Sequence, residues 1–399
     1  MKRNTIIACL LVLTGTSIYL ISCKKLTVQT ITVTQEEFLE EPQLPQVPDD
    51  YAAKYGVESN IATLGRVLFY DRSLSESNTV SCGSCHKQQY AFANNVAFDK
   101  GFDGRTLKRN TPSIQGIEGF NTSFANKNTQ PNEDNQRPVL LFWDGRQSSL
   151  ADMVLNPVLN HNEMHISNFA TLVNKLKNKS YYPKLFLNAY GSPEIDVKKI
   201  AFALEAFVVC LNKKPFDTTS FNNMPIALVS STNQFDPNPK LSPIEQYGQQ
   251  LFHVKYNCAT CHDPVSQTFG TYGNAEVGSP VAMFNIGLDE SPEDLGLAGI
   301  THLSNDAGVF KVPTLKNISL TAPYMHDGRF NTLDEVLNHY SHGIQNQSNL
   351  PAIFKNTDGS AKQLNISATD RLAIIAFLNT LVDKDFISNP MFADPFVKK

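Results

Sequence analysis

Two five-residue stretches constrain this chain more than anything else in it. "CGSCH" holds Cys82, Cys85 and His86, and "CATCH" holds Cys258, Cys261 and His262. In each, two thiols stand two residues apart with an imidazole directly after the second. On one helical turn such thiols reach the two vinyl groups of a single porphyrin, and the next residue aims its ring at the iron. Cys-x-x-Cys-His is the attachment pattern of c-type haem. A thioredoxin-like pair or half of a zinc site uses the two thiols but gives no reason for the histidine, least of all twice. Two covalently bound c-type haems are therefore expected.

The rest of the cysteine inventory agrees. Of seven cysteines, Cys9 and Cys23 lie at the N-terminus and Cys210 sits in the apolar, helix-patterned "IAFALEAFVVCLN", where a thiol is a small hydrophobe. Lys2 and Arg3 precede an apolar run, Thr5 to Ser22, that is too short and wrongly flanked for a membrane span and reads as an export signal. It ends in "LISC", which resembles a bacterial lipoprotein box with Cys23 as the lipidated residue. Residues 1–23 are thus a lipoprotein-type signal segment and 24–50 a polar, proline-bearing tether. An exported protein, held at a membrane in the periplasm by its lipid, follows. The net charge is −4, from 34 basic and 38 acidic residues, which leaves no electrostatic footprint for nucleic acid.

The segments around the two sockets repeat. "GRVLF" precedes the first and "GQQLF" the second; "RNTPSI" and "FWDGRQSSLADMV" follow the first, "FKVPTL" and "MHDGRFNTLDEVL" the second. Apolar residues at three-to-four spacing dominate, with no long alternating stretch. The expected fold is mainly α, with two tandem cytochrome c-like haem domains related by an internal repeat, at 51–225 and 240–390. The joint falls in the turn-rich "SSTNQFDPNPKLSP".

Superposing Asp144-Gly145-Arg146 on Asp327-Gly328-Arg329 separates the domains chemically. Thirteen residues after Asp327 stands Tyr340; thirteen after Asp144 stands Pro157. A phenol oxygen can bind ferric iron and a proline side chain cannot. The second iron can therefore be closed by protein while the first keeps an open face for a small molecule. His339, His342 and Met325 are nearby rivals of Tyr340 for that place.

Together the sockets, "RNTP", "FWDGR", "NEM", "KVPTLKN" and "APYMHDGR" resemble the bacterial di-haem cytochrome c peroxidases, and within them the MauG-like branch, from about Tyr51 to Thr380. The resemblance implies a peroxidase that reduces hydrogen peroxide at the N-terminal haem, with electrons arriving through the C-terminal one. The donor would be a small protein such as a c-type cytochrome or a cupredoxin. By position, Trp143 falls on the inter-haem tryptophan and Glu163 on the distal glutamate that moves a proton between peroxide oxygens. Asn110, Thr321 and Pro323 fall on the ligands of a calcium ion between the domains. His86 and His262 are the proximal ligands, and Tyr340 the MauG-like sixth ligand. Three departures stand out. Phe102 occupies the place of a histidine that closes the first iron in the family's peroxidases. Tyr340 occupies the place of a methionine, and Met153 that of a glutamine. A MauG-like oxidase acting on a partner protein's side chains and a non-catalytic electron carrier are the alternatives.

Overall fold

The computed structural model describes residues 58–115, 141–213, 239–262 and 283–396. The signal segment, the tether and most of the expected joint lie outside them. Among the described residues no helix is long and apolar enough to cross a membrane.

The structure is mainly helical. Its principal helices are α1 (Ser59–Tyr70), α2 (Phe169–Lys177), α3 (Tyr182–Tyr190), α4 (Val197–Lys213), α5 (Pro243–Gln250), α6 (Leu333–Asn338), α7 (Ala368–Asn379) and α8 (Lys384–Ser388). The one sheet among the described residues is a two-residue antiparallel pair, β1 (Met283–Phe284) with β2 (Phe310–Lys311). Local chemistry sets several helix starts. The α5 entry is a capping box: Pro243 occupies the first turn and Ser242 N donates to Glu245 Oε2 at 2.7 Å. In α6, Glu335 N donates to Thr332 Oγ1 at 3.2 Å while Thr332 N donates back to Glu335 Oε2 at 2.9 Å.

Among the described residues two large apolar cores form, beside two small clusters. The first gathers Leu64, Leu68 and Phe69 of α1 against Ala203 and Phe207 of α4. The second gathers Leu251, Phe252, Leu337, Ile374 and Phe377. Each rests on a helix pair brought together at a glycine. A Cβ on Gly65 would lie 1.8 Å from Ala203 O, and one on Gly248 would lie 1.9 Å from Ala373 O. Backbone meets backbone at both crossings, so neither can yield by a side-chain rotation. Gly248→Ala is expected to destabilise the protein by about 1–3 kcal/mol by forcing α5 and α7 apart, read as a fall in the midpoint of thermal unfolding of the haem-loaded protein.

The C-terminal segment crosses back to the first core. A boundary at residue 390 assigns Phe386 to the second segment, yet Phe386 and Phe392 pack within the first core. Tyr70 donates its hydroxyl to Phe392 O at 2.7 Å, and Gln88 Nε2 donates to Phe386 O and Asn389 O at 3.1 and 2.8 Å.

Candidate functional site: two haem sockets and the ground between them

In the first socket, Cys82–Cys85 form a single helical turn, and Ser81 N donates to Ser84 Oγ at 2.9 Å to start it. His86 follows as the cap, its N bound to Cys82 O at 2.8 Å. The imidazole Nδ1 donates to Phe92 O at 2.8 Å, which fixes the tautomer and leaves Nε2 as the bare nitrogen. No side chain fits at Gly83, because a Cβ there would stand 2.3 Å from the Tyr70 ring.

The second socket is tighter. Cys258–Thr260 form a 3-10 turn entered through Asn257, which holds a left-handed φ of 53°. His262 Nδ1 donates to Pro313 O at 3.2 Å, again freeing Nε2. Beside it opens a cavity of about 220 Å³, whose apolar walls include Cys258, Cys261, Phe284, Val312, Leu337 and Phe354.

Burial dominates the electrostatics of both sockets. Burial pushes the thiols of Cys82 and Cys258 up to about 12 and that of Cys261 up to about 11. No cluster of three or more His, Cys, Asp or Glu side chains able to hold a metal ion occurs among the described residues. Neutral thioethers suit these surroundings. Burial also lowers both imidazoles, His262 to about 4, so each is neutral at pH 7, as an iron ligand must be.

Tyr340 faces the second cavity from a π-helical turn, His339–Gly343, that follows α6. Such turns often mark functional positions. Its ring stacks on Phe354 with centroids 5.8 Å apart, and among the described residues no group hydrogen-bonds its hydroxyl. Burial and the neighbouring Cys261 and Cys258 push the phenol well above its ordinary range. The rivals divide. His339 turns away, its Nε2 bonded to Ile286 O at 3.0 Å, and His342 is exposed. Met325 lines the same cavity as Tyr340.

Trp143 forms part of that cavity's wall on the side of the first segment. Its Nε1 donates to Asn110 O at 2.9 Å, and its own carbonyl accepts from Lys311 N at 2.8 Å. The adjacent Asp144 is clamped: Arg109 Nη1 reaches its Oδ2 at 2.5 Å and Arg146 Nη1 its Oδ1 at 2.9 Å. Arg109 also grips Asp294 with two bonds, at 2.6 and 2.8 Å. This arginine ties the tryptophan turn to the second half of the chain. The turns at Asp144-Gly145-Arg146 and Asp327-Gly328-Arg329 share one shape: Gly145 and Gly328 take φ of 71° and 64°, and Phe142 and Met325 take 66° and 74°.

Asn110, Thr321 and Pro323 line the same cavity. Asn110 Nδ2 donates to Val96 O at 3.0 Å, so Oδ1 is the end left to face a cation.

Glu163 belongs to the first socket. Its charge acts on the thiols of both Cys82 and Cys85. Burial raises its pKa, opposed by the Arg146 charge and by Asn160 Nδ2, which donates to Oε1 at 2.8 Å. Phe102 is pinned beside it, its N donating to Glu163 O at 2.7 Å and its ring stacked on His165 at 4.8 Å. Met153 packs against the first core. Sequence patterns single out neither Asn160 nor Asp294. Asn160 was findable as a polar residue one turn before Glu163; Asp294 lies 185 positions from Arg109 and has no local signal.

Helices around two Cys-x-x-Cys-His sockets, each with a half-buried imidazole held neutral, mark a c-type haem protein. Residues 59–223 match the family model described as "Di-haem cytochrome c peroxidase". Among curated proteins, the chain is 28% identical over 323 residues to the methylamine utilization protein MauG of Methylorubrum extorquens, covering 80% of this chain and 77% of that one. It is 27% identical over 284 residues to the cytochrome c551 peroxidase of Nitrosomonas europaea, covering 70% and 72%. Among solved structures, it is similar to a MauG-like protein associated with microbial copper homeostasis, with TM-score 0.65, 27% identity, and 92% of this chain and 99% of that one covered. Residues 59–223 thus resemble the di-haem cytochrome c peroxidase family, whose members carry two c-type haems, and the chain as a whole is similar to relatives named as MauG and as cytochrome c551 peroxidase.

Proposed function

We propose that this protein reduces hydrogen peroxide to water at the N-terminal haem, held by Cys82, Cys85 and His86. Electrons are delivered through the C-terminal haem, held by Cys258, Cys261, His262 and Tyr340. In this reading the chain is two tandem haem domains, and the matching glycine crossings and the matching turns at Asp144-Gly145-Arg146 and Asp327-Gly328-Arg329 support it. The observation that carries the assignment of roles is an asymmetry. A half-buried carboxylate with a raised pKa stands by the first socket, and an unpartnered phenol faces the second.

Bound haem supplies the redox chemistry at both sockets. The chain's own residues supply the rest. Phe102 and Pro157 offer no atom that could coordinate, so the face near Glu163 stays accessible to peroxide. Glu163 takes the proton from one peroxide oxygen and returns it to the other, which lets the O–O bond break heterolytically. Asn160 holds the carboxylate in place for both transfers. Trp143, rigid between Asn110 O and Lys311 N, provides an oxidisable indole between the two sites. Asn110, Thr321 and Pro323 hold calcium there, an arrangement of oxygen donors suited to a hard ion. The protein is exported and anchored through Cys23. It draws electrons from a c-type cytochrome or cupredoxin.

Peroxide is expected to react with the fully ferric protein without prior reduction. A stopped-flow mix with an unchanged Soret band defeats the proposal. Resting electron paramagnetic resonance should contain one high-spin and one low-spin ferric signal; two low-spin signals favour an electron carrier instead. The relatives named MauG favour a second reading, an oxidase of partner side chains. Comparing turnover with reduced cytochrome c against oxidation of candidate partner proteins separates the two.

A further inference from the structure

A cluster on the outer side of the second cavity plays no part in the steps above. Tyr256 is only 7% exposed and lines that cavity. Its hydroxyl donates to Asp370 Oδ2 at 2.6 Å. Asp370 is buried in the first turn of α7, and its other oxygen, Oδ1, accepts from the Tyr247 hydroxyl at 2.9 Å. Tyr247 lies on α5 and is 42% exposed. Lys255 Nζ sits 2.6 Å from Oδ2. Against the upward push of burial, Lys255 and the two phenols hold this carboxyl at about 2, ionised at any physiological pH. One carboxylate therefore joins a phenol on the cavity wall to a phenol at the surface.

Tying α5 to α7 needs only one such bond. A carboxylate bonded to two phenols does something more: it gives each phenolic proton an acceptor already in place, so either ring can lose an electron without leaving a cation in a poorly solvated position. We propose that Tyr256, Asp370 and Tyr247 form a redox relay carrying oxidising equivalents from the second haem cavity to the surface, where small phenolic reductants discharge them. The relay rests on the reading above, that peroxide oxidises the haem-loaded protein. In each step Tyr247 loses one electron, through Tyr256, to the peroxide-oxidised protein, and its hydroxyl proton moves along the existing bond to Asp370 Oδ1. A phenoxyl radical remains at Tyr247. One electron from an external phenol and the proton held on Asp370 restore it, while the external phenol, losing its own proton to water, becomes a phenoxyl radical. Two such cycles supply the two electrons that one peroxide consumes.

The test treats the haem-loaded protein with hydrogen peroxide in the absence of reductant, with a nitroso spin trap present, and maps adducts by peptide mass spectrometry. The expected result is an adduct on Tyr247 that is lost in Tyr256→Phe. Tyr247→Phe, a change at an exposed ring, should remove the phenoxyl paramagnetic signal, and a small phenol should discharge that signal in the unmodified protein. A Soret response to peroxide with no adduct on Tyr247, or an adduct undiminished in Tyr256→Phe, overturns the relay alone. An absent Soret response overturns the peroxidase reading, and the relay with it.

Discussion

Glu163→Gln is expected to slow the reaction with peroxide about 10²- to 10⁴-fold, the usual worth of a positioned acid–base group. Both haems should remain attached. Glutamine preserves the side-chain shape and keeps an oxygen to accept from Asn160 Nδ2, which stands 2.8 Å from Oε1 in the native protein. The variant therefore removes the capacity to take and return a proton and little else. The stopped-flow rate constant for the Soret change measures it, and a fall smaller than about tenfold, roughly 1.4 kcal/mol of barrier, removes Glu163 from the proton path.

The same carboxyl predicts a pH dependence with a definite sign. Burial raises its pKa above the ordinary glutamate value. A base must start ionised, so the rate should fall as pH drops through that raised value. Stability runs the other way. A group whose folded pKa is raised contributes stability below its unfolded pKa, about 4.3 for glutamate, and loses it as pH rises through the folded one. At neutral pH the ionised Glu163 is thus a burden on the fold, and Glu163→Gln should unfold at an equal or higher temperature than the parent protein at pH 7. A variant that is slower yet no less stable marks a residue kept for chemistry.

What the chain discloses before folding is whatever chemistry is local. The sockets read directly because the whole attachment pattern, two thiols and an imidazole, stands within five consecutive residues. Gly65 and Gly248 could be aligned as the same letter in "GRVLF" and "GQQLF", but not understood. Their meaning is a carbonyl more than a hundred positions away, at Ala203 and Ala373, that leaves no room for a methyl group. The distinction between His339 and Tyr340 was equally hidden. A helical wheel separates their directions but does not say which one faces the cavity, and the Ile286 carbonyl that claims His339 belongs to a distant loop. Arg109 reads as part of "RNTP", while its two carboxylate partners come from opposite halves of the chain. Pairings of this kind depend on how loops meet in space, and no periodicity records that.

Tyr340→Met is expected to raise the reduction potential of the second haem by on the order of 100 mV or more, since axial ligands move haem potentials over a range of about 0.8 V. The reason lies in charge. A phenolate brings an anion to ferric iron and stabilises it, whereas a thioether is neutral and soft and favours the ferrous state. The native surroundings sharpen the contrast. Burial pushes the Tyr340 phenol upward, with Phe354 stacked on the ring and no hydrogen-bond donor for its oxygen among the described residues. A bare phenolate is disfavoured in such a place, so the anion persists only against a cation, and the ferric state gains most from it. Methionine fits the same space with a flexible chain. A spectroelectrochemical titration should therefore move one midpoint and leave the first haem's unchanged. Met325, on the wall of the same cavity, supplies the decisive control. If Met325 takes over whenever the phenol is absent, Tyr340→Phe and Tyr340→Met converge on one potential. If Tyr340 alone serves that position, Tyr340→Phe leaves the second iron high-spin in the ferric protein while Tyr340→Met keeps it low-spin. An unshifted potential in both variants removes Tyr340 from the iron altogether.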